Sequence, residues 1–275
     1  MKRTYLNFNV FQFLLLSLFL CNPLFAQHQN WQKVLTIEAV WKHYPDKIHS
    51  LISAIDLERS ELSTVKRIVT SGDSLSAVKA LLEHYRKSEY GRWLAFEPVD
   101  MNHEAASKVA FQLLGDTVTI HEQTAKVPPS KSGGWNWHFT GPEGDDEFGY
   151  NLNRHRYLLS FLELYQESHQ EKYAKKFDSI IRDWAIHNPL PPRSDSIYLV
   201  LASNTLDWRD IGEVVWRDLE AGNRLEACWP QLFYGFQDSD AFSDAGRIFM
   251  LCSLVEQAEY LLKYHKRGHN WTTME

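Results

Sequence analysis

Three short segments of the sequence place amide, imidazole or guanidinium side chains beside aromatic residues. The segments are 150–159, 216–226 and 268–271. Guanidinium and amide groups bind carboxylate and sulfate oxygens, and aromatic rings offer an apolar face on which a sugar ring can stack. The candidate substrate-binding residues are Asn153, Arg154, His155, Arg217, Glu220, His269 and Trp271. This composition predicts a cleft for a charged sugar and favours a carbohydrate-active enzyme.

The middle segment also has a less specific interpretation. Arg217, Glu220 and Arg224 are three and seven positions apart, so they would form one charged stripe along a helix. Such a stripe is usually a solvated ion-pair face, worth roughly a few tenths of a kcal/mol per pair. The sequence leaves open whether the stripe lies at the rim of a cleft or only in solvent.

His155 has two interpretations as well. In a continuous helix Asn151, His155 and Leu158 share one face, so the imidazole would point towards the interior or the cleft. A single histidine in an apolar helix is commonly a hydrogen-bonded core residue. The neighbouring asparagine and arginine favour binding, and the sequence does not decide between the two.

Helices must position these segments, because apolar residues recur at helical spacing over most of the chain. Two apolar stripes, over 157–165 and 173–184, are joined by a short link and predict an antiparallel helical hairpin. Another helix is predicted over 240–267, with Gly268 as its C-terminal cap. The sequence has no strand-rich half and no repeat of fixed period. It therefore predicts an all-α fold of helical hairpins.

Residues 127–134 interrupt the helical pattern with prolines and glycines, which predict a surface loop. Trp135 and Trp137 follow directly. Aromatic residues in an exposed loop usually take part in binding, whereas the same rings folded back would fill the core. The sequence leaves both positions open. The acidic run 145–147 lacks the alternating spacing of a calcium loop and is interpreted as a solvated turn.

Composition bounds the class of protein. A chain of 275 residues with 44% hydrophobic content is long enough to bury a large core. Its net charge of -6 argues against nucleic acid as a partner. No spacing of cysteine and histidine predicts a metal site, and no cofactor is expected. Cys228 and Cys252 would either pair in an oxidising compartment or stay as buried free thiols.

Residues 1–26 predict an export signal. Lys2 and Arg3 precede an apolar stretch over 11–20, and Ala26 is a small residue before the expected cleavage site. The apolar stretch is short for a membrane span, so we predict no integral membrane domain after cleavage. Loss of the two positive charges would leave a net charge of -6 - 2 = -8. The expected location is periplasmic or secreted.

Several of these features together resemble the N-terminal domain of the heparinase II/III polysaccharide lyases. They are the Asn153-Arg154-His155 element, the helical hairpin that carries Lys172-Tyr173-Ala174 and ends at Pro189, the helix with Arg217 and Glu220, and the Asn270-Trp271 ending. The features are moderately specific as a set, weak singly, and cover roughly residues 92–275. The resemblance implies an incomplete α/α toroid, which in that family precedes a large antiparallel β-sandwich.

The predicted organisation follows from this resemblance. Residues 1–26 form a signal peptide, residues 27–90 a helical lead-in without chemistry of its own, and residues 91–275 the first part of the toroid. The resemblance stops partway round the toroid, so we expect the chain to be truncated and inactive by itself.

The resemblance also implies a reaction, the cleavage of uronic-acid-containing chains by β-elimination. A proton must leave a carbon beside a carboxylate, so one group must neutralise that carboxylate and others must move protons. Asn270 matches the family's carboxylate-neutralising asparagine and is the candidate catalytic residue. The family's catalytic tyrosine and histidine would fall beyond Glu275. The implied substrate is an anionic polysaccharide of the heparan sulfate or heparin type.

Three other functions remain open. A non-catalytic carbohydrate-binding domain would bind anionic oligosaccharide without turnover. An α/α-toroid glycoside hydrolase needs two carboxylates about 5–10 Å apart across one cleft, whereas Glu213, Glu220 and Glu226 lie on one stretch of chain. A plain helical scaffold would bury the loop aromatic residues and have no cleft. The sequence does not predict the oligomeric state, the uronide polymer or its sulfation.

Overall fold

The computed structural model describes residues 31–99, 101–190 and 214–264. The α-helices of these ranges are α1 (Ile37–His43), α2 (Pro45–Ala54), α3 (Ser63–Thr70), α4 (Ser74–Lys87), α5 (His103–Leu114), α6 (Asp146–Arg154), α7 (Leu159–Ser168), α8 (Glu171–His187), α9 (Asp218–Asn223), α10 (Trp229–Gly235) and α11 (Asp244–Tyr264). Short 3-10 helices span Trp31–Lys33, Ser60–Leu62, Arg92–Phe96 and Arg156–Leu158, and a π-helix spans Arg224–Cys228. The predicted helical fold class is confirmed.

One β-hairpin interrupts the described helices. Strand β1 (Thr117–Ile120) pairs antiparallel with β2 (Gln123–Lys126). The two residues between the strands, His121 and Glu122, both have positive φ, 47° and 66°. The favoured sequence for such a turn is Asn-Gly or Asp-Gly, so His-Glu gives little signal and the sequence did not predict this hairpin.

The predicted antiparallel hairpin of helices is confirmed by α7 and α8. His169 ends α7 in the left-handed region at φ 51°, and α8 starts two residues later. The apolar stripes of the two helices face each other, as the Phe161 and Tyr173 rings show with centroids 6.0 Å apart. Helix α8 also packs against α11, so it lies between α7 and α11 in the core.

The helices before residue 90 pack on the same core. Thr36 caps α1 by accepting a hydrogen bond from the backbone of Ala39, and Pro45 stands in the first turn of α2, where its missing N–H costs nothing. Helices α1, α2 and α4 contact α11. Among the described helices, none is long and apolar enough to cross a bilayer.

Candidate functional site

Glu220 joins the two predicted arginines into one cluster. Its side chain is completely buried, and Oε1 accepts hydrogen bonds from Nε (3.1 Å) and Nη2 (3.0 Å) of Arg154 and from Nη2 of Arg217 (2.6 Å). Arg217 Nε also donates to Oε2. Both arginine side chains are partly exposed, 19% for Arg154 and 16% for Arg217. We call Arg154 and Arg217 the arginine pair.

Arg217 stays charged in this cluster. Burial alone would lower the pKa of Arg217, but its hydrogen bonds with Glu220 and attraction to that carboxylate outweigh burial and raise the pKa. The guanidinium carbon of Arg217 lies 3.6 Å from the ring centroid of Tyr150. Glu147, which is half exposed, lies 4.0 Å from Arg154 and offsets part of the positive charge. Two planar guanidinium groups at a surface suit carboxylate and sulfate oxygens.

The prediction that Arg217, Glu220 and Arg224 form one charged stripe along a helix is wrong. Glu220 and Arg224 are fully buried, and Arg217 precedes α9 as its N-cap residue. The α-helical hydrogen bonding ends at Asn223, and Arg224 begins the π-helix. Inserting a π turn changes the face on which later side chains lie, so the regular spacing assumed from sequence does not apply.

Arg224 fixes the backbone that carries the arginine pair. Its Nη1 donates to the carbonyls of Asn153 (2.7 Å) and Val215 (3.1 Å), and its Nε donates to Oε1 of Gln257 on α11 (2.5 Å). Its guanidinium carbon lies 4.5 Å from the ring centroid of Trp184. Because Asn153 directly precedes Arg154 and Val215 lies two residues before Arg217, this buried cation holds both surface arginines in register.

Asn153 lies in the core rather than at a surface. Its Nδ2 donates to the carbonyls of Trp137 and Gly149, each at 2.9 Å, and its Oδ1 accepts from Nε1 of Trp184 at 3.1 Å. We call residues 127–137, which carry Trp135 and Trp137, the tryptophan loop. The Asn153 side chain thereby connects the tryptophan loop to α6 and α8. Its direct contact with substrate stays a prediction, and this burial gives it no support.

The expectation of one continuous helix through His155 is also wrong. Helix α6 ends at Arg154, and His155 adopts a left-handed conformation with φ 63°, so Asn151, His155 and Leu158 do not share a helical face. The fully buried imidazole accepts a hydrogen bond at Nδ1 from Nε1 of Trp229 at 3.0 Å. Of the two interpretations left open, the structure favours the core residue.

His155 is enclosed by aromatic rings, which keeps it neutral. Its ring stacks on Trp229 at 5.7 Å and meets Trp137 and Trp184 edge to face at 5.3 and 5.4 Å. Burial lowers its pKa well below 6.5, and the charge of Arg224 lowers the pKa further. A neutral, enclosed imidazole offers no positive charge to an acidic sugar, so a substrate contact by His155 gains no support here.

The loop tryptophans occupy the core, the second of the two positions left open. Trp135 and Trp137 are 7% and 2% exposed. Asp183 of α8, itself buried, accepts hydrogen bonds from the Trp135 backbone N–H (2.7 Å) and from Nε1 of Trp137 (3.1 Å), and pairs with His187 Nδ1 at 2.7 Å. Sequence reasoning missed Asp183; its signal was a carboxylate inside the apolar stripe of α8.

Three predicted site residues, His269, Asn270 and Trp271, lie outside the described residues. The end of α11 nevertheless has a fixed relation to the arginine pair. The Tyr260 hydroxyl donates to the carbonyl of Trp216 at 2.6 Å, and Trp216 directly precedes Arg217. The last described turns of α11 therefore lie against the segment that leads into the pair.

The arginine pair does not line either of two cavities in the described fold, one near α5 and one near Trp135. Within the described ranges, no group of three or more His, Cys, Asp or Glu side chains could hold a metal ion. A cavity of 490 Å³ lies between α5 and α7, and one of 360 Å³ lies beside Trp135 and Asp183. Neither cavity is lined by the arginine pair or by Glu220.

The fold and this surface together define a partial α/α-toroid domain with a guanidinium pair suited to acidic groups. The chain belongs to the heparinase II/III family, because residues 51–275 match the family model for the heparinase II/III N-terminus. The match begins well before residue 92, where the resemblance was expected to start, so it includes part of the helical lead-in.

Individual relatives agree with the family. A heparin-sulfate lyase of Pedobacter heparinus is 28% identical over 232 residues, which are 80% of this chain and 32% of that protein. A heparin-sulfate lyase of Bacteroides thetaiotaomicron is 25% identical and covers 80% of this chain and 30% of that protein. A crystal structure of a heparan sulfate lyase mutant from Pedobacter heparinus superimposes with a TM-score of 0.62 at 26% identity, over 79% of this chain and 32% of that one. The chain thus spans about a third of the length of these relatives.

Proposed function

We propose that this chain is the N-terminal region of an exported polysaccharide lyase, which binds heparan sulfate-like chains and contributes to their cleavage by β-elimination. The observation that carries the proposal is the arginine pair, held at the surface by the buried carboxylate of Glu220. Relatives over most of this chain are heparin-sulfate lyases, which supports the reaction class and the polymer.

The arginine pair binds the substrate in this proposal. Each guanidinium has N–H groups beyond those bonded to Glu220 and, in Arg154, to Asn151. Because both side chains are partly exposed, those groups can donate to a sulfate or a uronic acid carboxylate. Glu220 fixes the two side chains, and Arg224 fixes the backbone that carries them, before substrate arrives. Little conformational entropy is therefore lost on binding. Preorganised donors of this kind give orientation as well as affinity.

Asn270 neutralises the carboxylate beside the reacting carbon. It follows Tyr264 by six residues, so the chain between them spans at most about 20 Å. Because α11 lies against the segment leading into Arg217, that reach supports a shared groove. His155 is enclosed in the core, and the hydroxyl of the partly buried Tyr157 is bound to the Leu152 carbonyl at 2.8 Å. We therefore assign proton transfer to the tyrosine and histidine that the family resemblance implies.

Binding is tested with a heparan sulfate oligosaccharide by isothermal titration calorimetry. We expect Arg217→Gln to weaken binding about tenfold, equivalent to about 1.4 kcal/mol, and to reduce its dependence on salt. Lys108→Gln, which removes an exposed cation from α5, is the matched control and should bind as the wild type does. Arg217→Lys keeps the charge and checks that loss of binding is not loss of folding. Equal affinity in all variants would exclude the arginine pair as the binding site.

Cleavage is tested on the longest natural polypeptide that carries this chain, by following the ultraviolet absorbance of the unsaturated product. We expect Asn270→Ala to lower the rate by about 100- to 1,000-fold, because a preorganised donor to the developing charge is lost. Undiminished turnover in Asn270→Ala would disprove the catalytic role. Binding without turnover in that polypeptide would instead show a non-catalytic carbohydrate-binding protein.

Export is part of the proposal and has its own test. The mature protein is expected outside the cytoplasm with Gln27 as its first residue, since the apolar stretch and Ala26 form the signal. N-terminal sequencing of protein from the cell envelope or medium measures this directly. Recovery of the intact N-terminus from the cytoplasm alone would contradict it.

A further inference from the structure

Three aromatic side chains are exposed within one short segment around the 3-10 helix Arg92–Phe96. Tyr90, Trp93 and Phe96 are 75%, 64% and 74% exposed, and we call them the aromatic row. Trp93 differs from the other tryptophans of the described ranges, which are buried except for the half-buried Trp41. Exposed large rings clustered in one place mark an interaction surface more often than isolated ones do.

The backbone under the aromatic row is firmly held. Gly91 starts the 3-10 helix in the left-handed region, with φ 83°. Arg92 donates to both carboxylate oxygens of Asp238, at 2.8 and 3.2 Å. Gln166 and Gln231 donate to two carbonyls of the segment at 2.7 and 2.6 Å. The rings are therefore presented from a fixed backbone, which lowers the entropy lost when they bind a ligand.

The spacing of the rings suits a linear ligand. Side chains three residues apart in a 3-10 helix eclipse one another, and three residues rise about 6 Å. Trp93 and Phe96 are related in this way. Tyr90 lies three residues before Trp93 in the sequence, but it is outside the helix, on the other side of the left-handed Gly91. Sugar rings stack on aromatic faces through their C–H groups, so successive sugars of an extended chain can lie on successive rings.

The charged side chains around the aromatic row indicate which type of sugar chain it can bind. The nearby cations are already paired, Arg92 with Asp238 and Arg59 with Glu61. Arg59 also lies over the Tyr90 ring, with its guanidinium carbon 5.6 Å from the centroid, so Trp93 and Phe96 offer the more open faces. Glu89 and Glu97 are exposed beside the row and add negative charge. A densely sulfated chain would be repelled at close range, whereas a sugar chain with few charges would lose little electrostatic energy.

The area of the row argues against a stable contact with a second copy of this chain. Three rings of about 200 Å² each, roughly 70% exposed, offer about 400 Å², which is half of the 800 Å² or so that each partner buries in a standard interface. Stacking of a few sugars needs no larger surface.

We propose that Tyr90, Trp93 and Phe96 form a second carbohydrate-binding site, one that holds unsulfated, weakly charged stretches of a polysaccharide while the arginine pair binds acidic ones. The site is built from the segment before α5, supported by α7 and α10, and shares no residue with α6 or α9. The choice of a polysaccharide as ligand rests on the proposed function.

Binding of an unsulfated N-acetylated uronide oligosaccharide of about ten sugars tests this proposal, by calorimetry and by NMR. The wild type should bind it with a weaker dependence on salt than it shows for the sulfated oligosaccharide. Trp93→Ala and Phe96→Ala should each weaken binding about tenfold or more. Phe111→Ala, which removes an equally exposed ring from α5, is the control and should leave the affinity unchanged.

Three results would overturn the proposal: no binding by the wild type, unchanged affinity in Trp93→Ala, or an equal loss in Phe111→Ala. A concentration-dependent dimer that Trp93→Ala abolishes in sedimentation would show a protein contact in its place. Arg217→Gln separates this site from the proposed lyase function, because it should weaken binding of the sulfated oligosaccharide, whereas Trp93→Ala should weaken binding of the unsulfated one as much in the Arg217→Gln background as in the wild type. Circular dichroism verifies folding of each variant.

Discussion

His155 shows how one residue can end a helix and fill a core at once. Its left-handed backbone turns the chain out of α6, which histidine tolerates better than β-branched residues do. The imidazole then enters a space lined by Trp137, Trp184 and Trp229, where, within the described part of the chain, the Trp229 N–H is its hydrogen-bond donor. Such a histidine contributes to stability only while it is neutral.

A pH-dependent contribution to stability follows. The unfolded chain binds a proton at His155 near pH 6.5, whereas burial and Arg224 hold the folded pKa well below that value. The contribution of neutral His155 to the free energy of unfolding is therefore complete above pH 6.5. As the pH decreases from 6.5, this contribution is lost, by up to about 1.4 kcal/mol per pH unit. His155→Asn should unfold more easily at pH 7.5, by about 2–4 kcal/mol, yet lose less stability between pH 7 and 5.

Urea unfolding at several pH values measures this difference. Asparagine also tolerates the left-handed conformation and offers an acceptor to Trp229, so the variant changes titration with the least backbone strain. His138→Asn alters an exposed histidine and should keep the pH dependence of the wild type. Parallel stability curves for His155→Asn and the wild type would contradict the prediction.

At the scale of elements, regular apolar spacing was enough to predict the hairpin of α7 and α8. Its stripes are long and its link is short, so few other arrangements bury them. The boundary between α1 and α2 at Pro45 was predictable for a local reason, since proline fits only the first turn of a helix. The candidate chemistry at Arg154 and Arg217 followed from residue type, and the structure brings the two together.

The buried charges were not predictable from local sequence. Glu220 is buried because Arg154, 66 residues earlier, satisfies it, and Arg224 is buried because Asn153 and Gln257 accept its hydrogen bonds. Sequence spacing places charged residues on a solvated face by default, because partners distant in sequence are invisible to it. The left-handed turn at His155 has the same origin, since tertiary contacts with the tryptophans favour it.

The tryptophan loop depends on the absence of a side chain at Gly134. A Cβ at this position would lie 1.7 Å from Oδ1 of Asp183, the carboxylate that also holds Trp135 and Trp137. Gly134→Ala must displace either the loop backbone or the Asp183 carboxylate. We therefore expect a loss of about 1–3 kcal/mol in the free energy of unfolding. Urea denaturation followed by tryptophan fluorescence measures it.

Gly115→Ala is the matched control for the loop. Its Cβ would approach nothing closer than the Gln112 carbonyl at 3.4 Å, so the free energy of unfolding should change by less than about 0.5 kcal/mol. If Gly134→Ala unfolded at the same urea concentration as Gly115→Ala, the close approach between the loop and α8 would be wrong.

On the scale of the whole molecule, the lead-in and the later helices share one core. Tyr44 packs edge to face on Phe249 of α11 at 5.2 Å, Lys47 pairs with Glu256, and the thiol of Cys252 donates to the Lys47 carbonyl at 3.3 Å. The buried apolar residues form a single cluster that includes both parts. A domain boundary at residue 90 stays a prediction, but the contacts indicate one cooperative unit.

The two described cysteines report on that cooperativity. Both are buried free thiols, Cys252 between α11 and the lead-in and Cys228 against the Arg154 carbonyl. Burial raises the pKa of each to about 12, so neither should react with a thiol reagent in the native protein. In a Cys21→Ser background, we expect the two thiols to become reactive at one shared urea midpoint.

Variants with a single thiol separate the reactivity of Cys228 from that of Cys252. Cys228→Ala leaves Cys252 as the reporter of the contact between the lead-in and α11, and Cys252→Ala leaves Cys228 as the reporter of the region behind the arginine pair. Ser53→Cys, at an exposed position of α2, should react at once and verifies the reagent. Because each alanine variant also leaves a small cavity, midpoints are compared with that variant's own fluorescence transition. Modification of Cys252 well before that transition would mean that the lead-in detaches from α11 and unfolds as a separate unit.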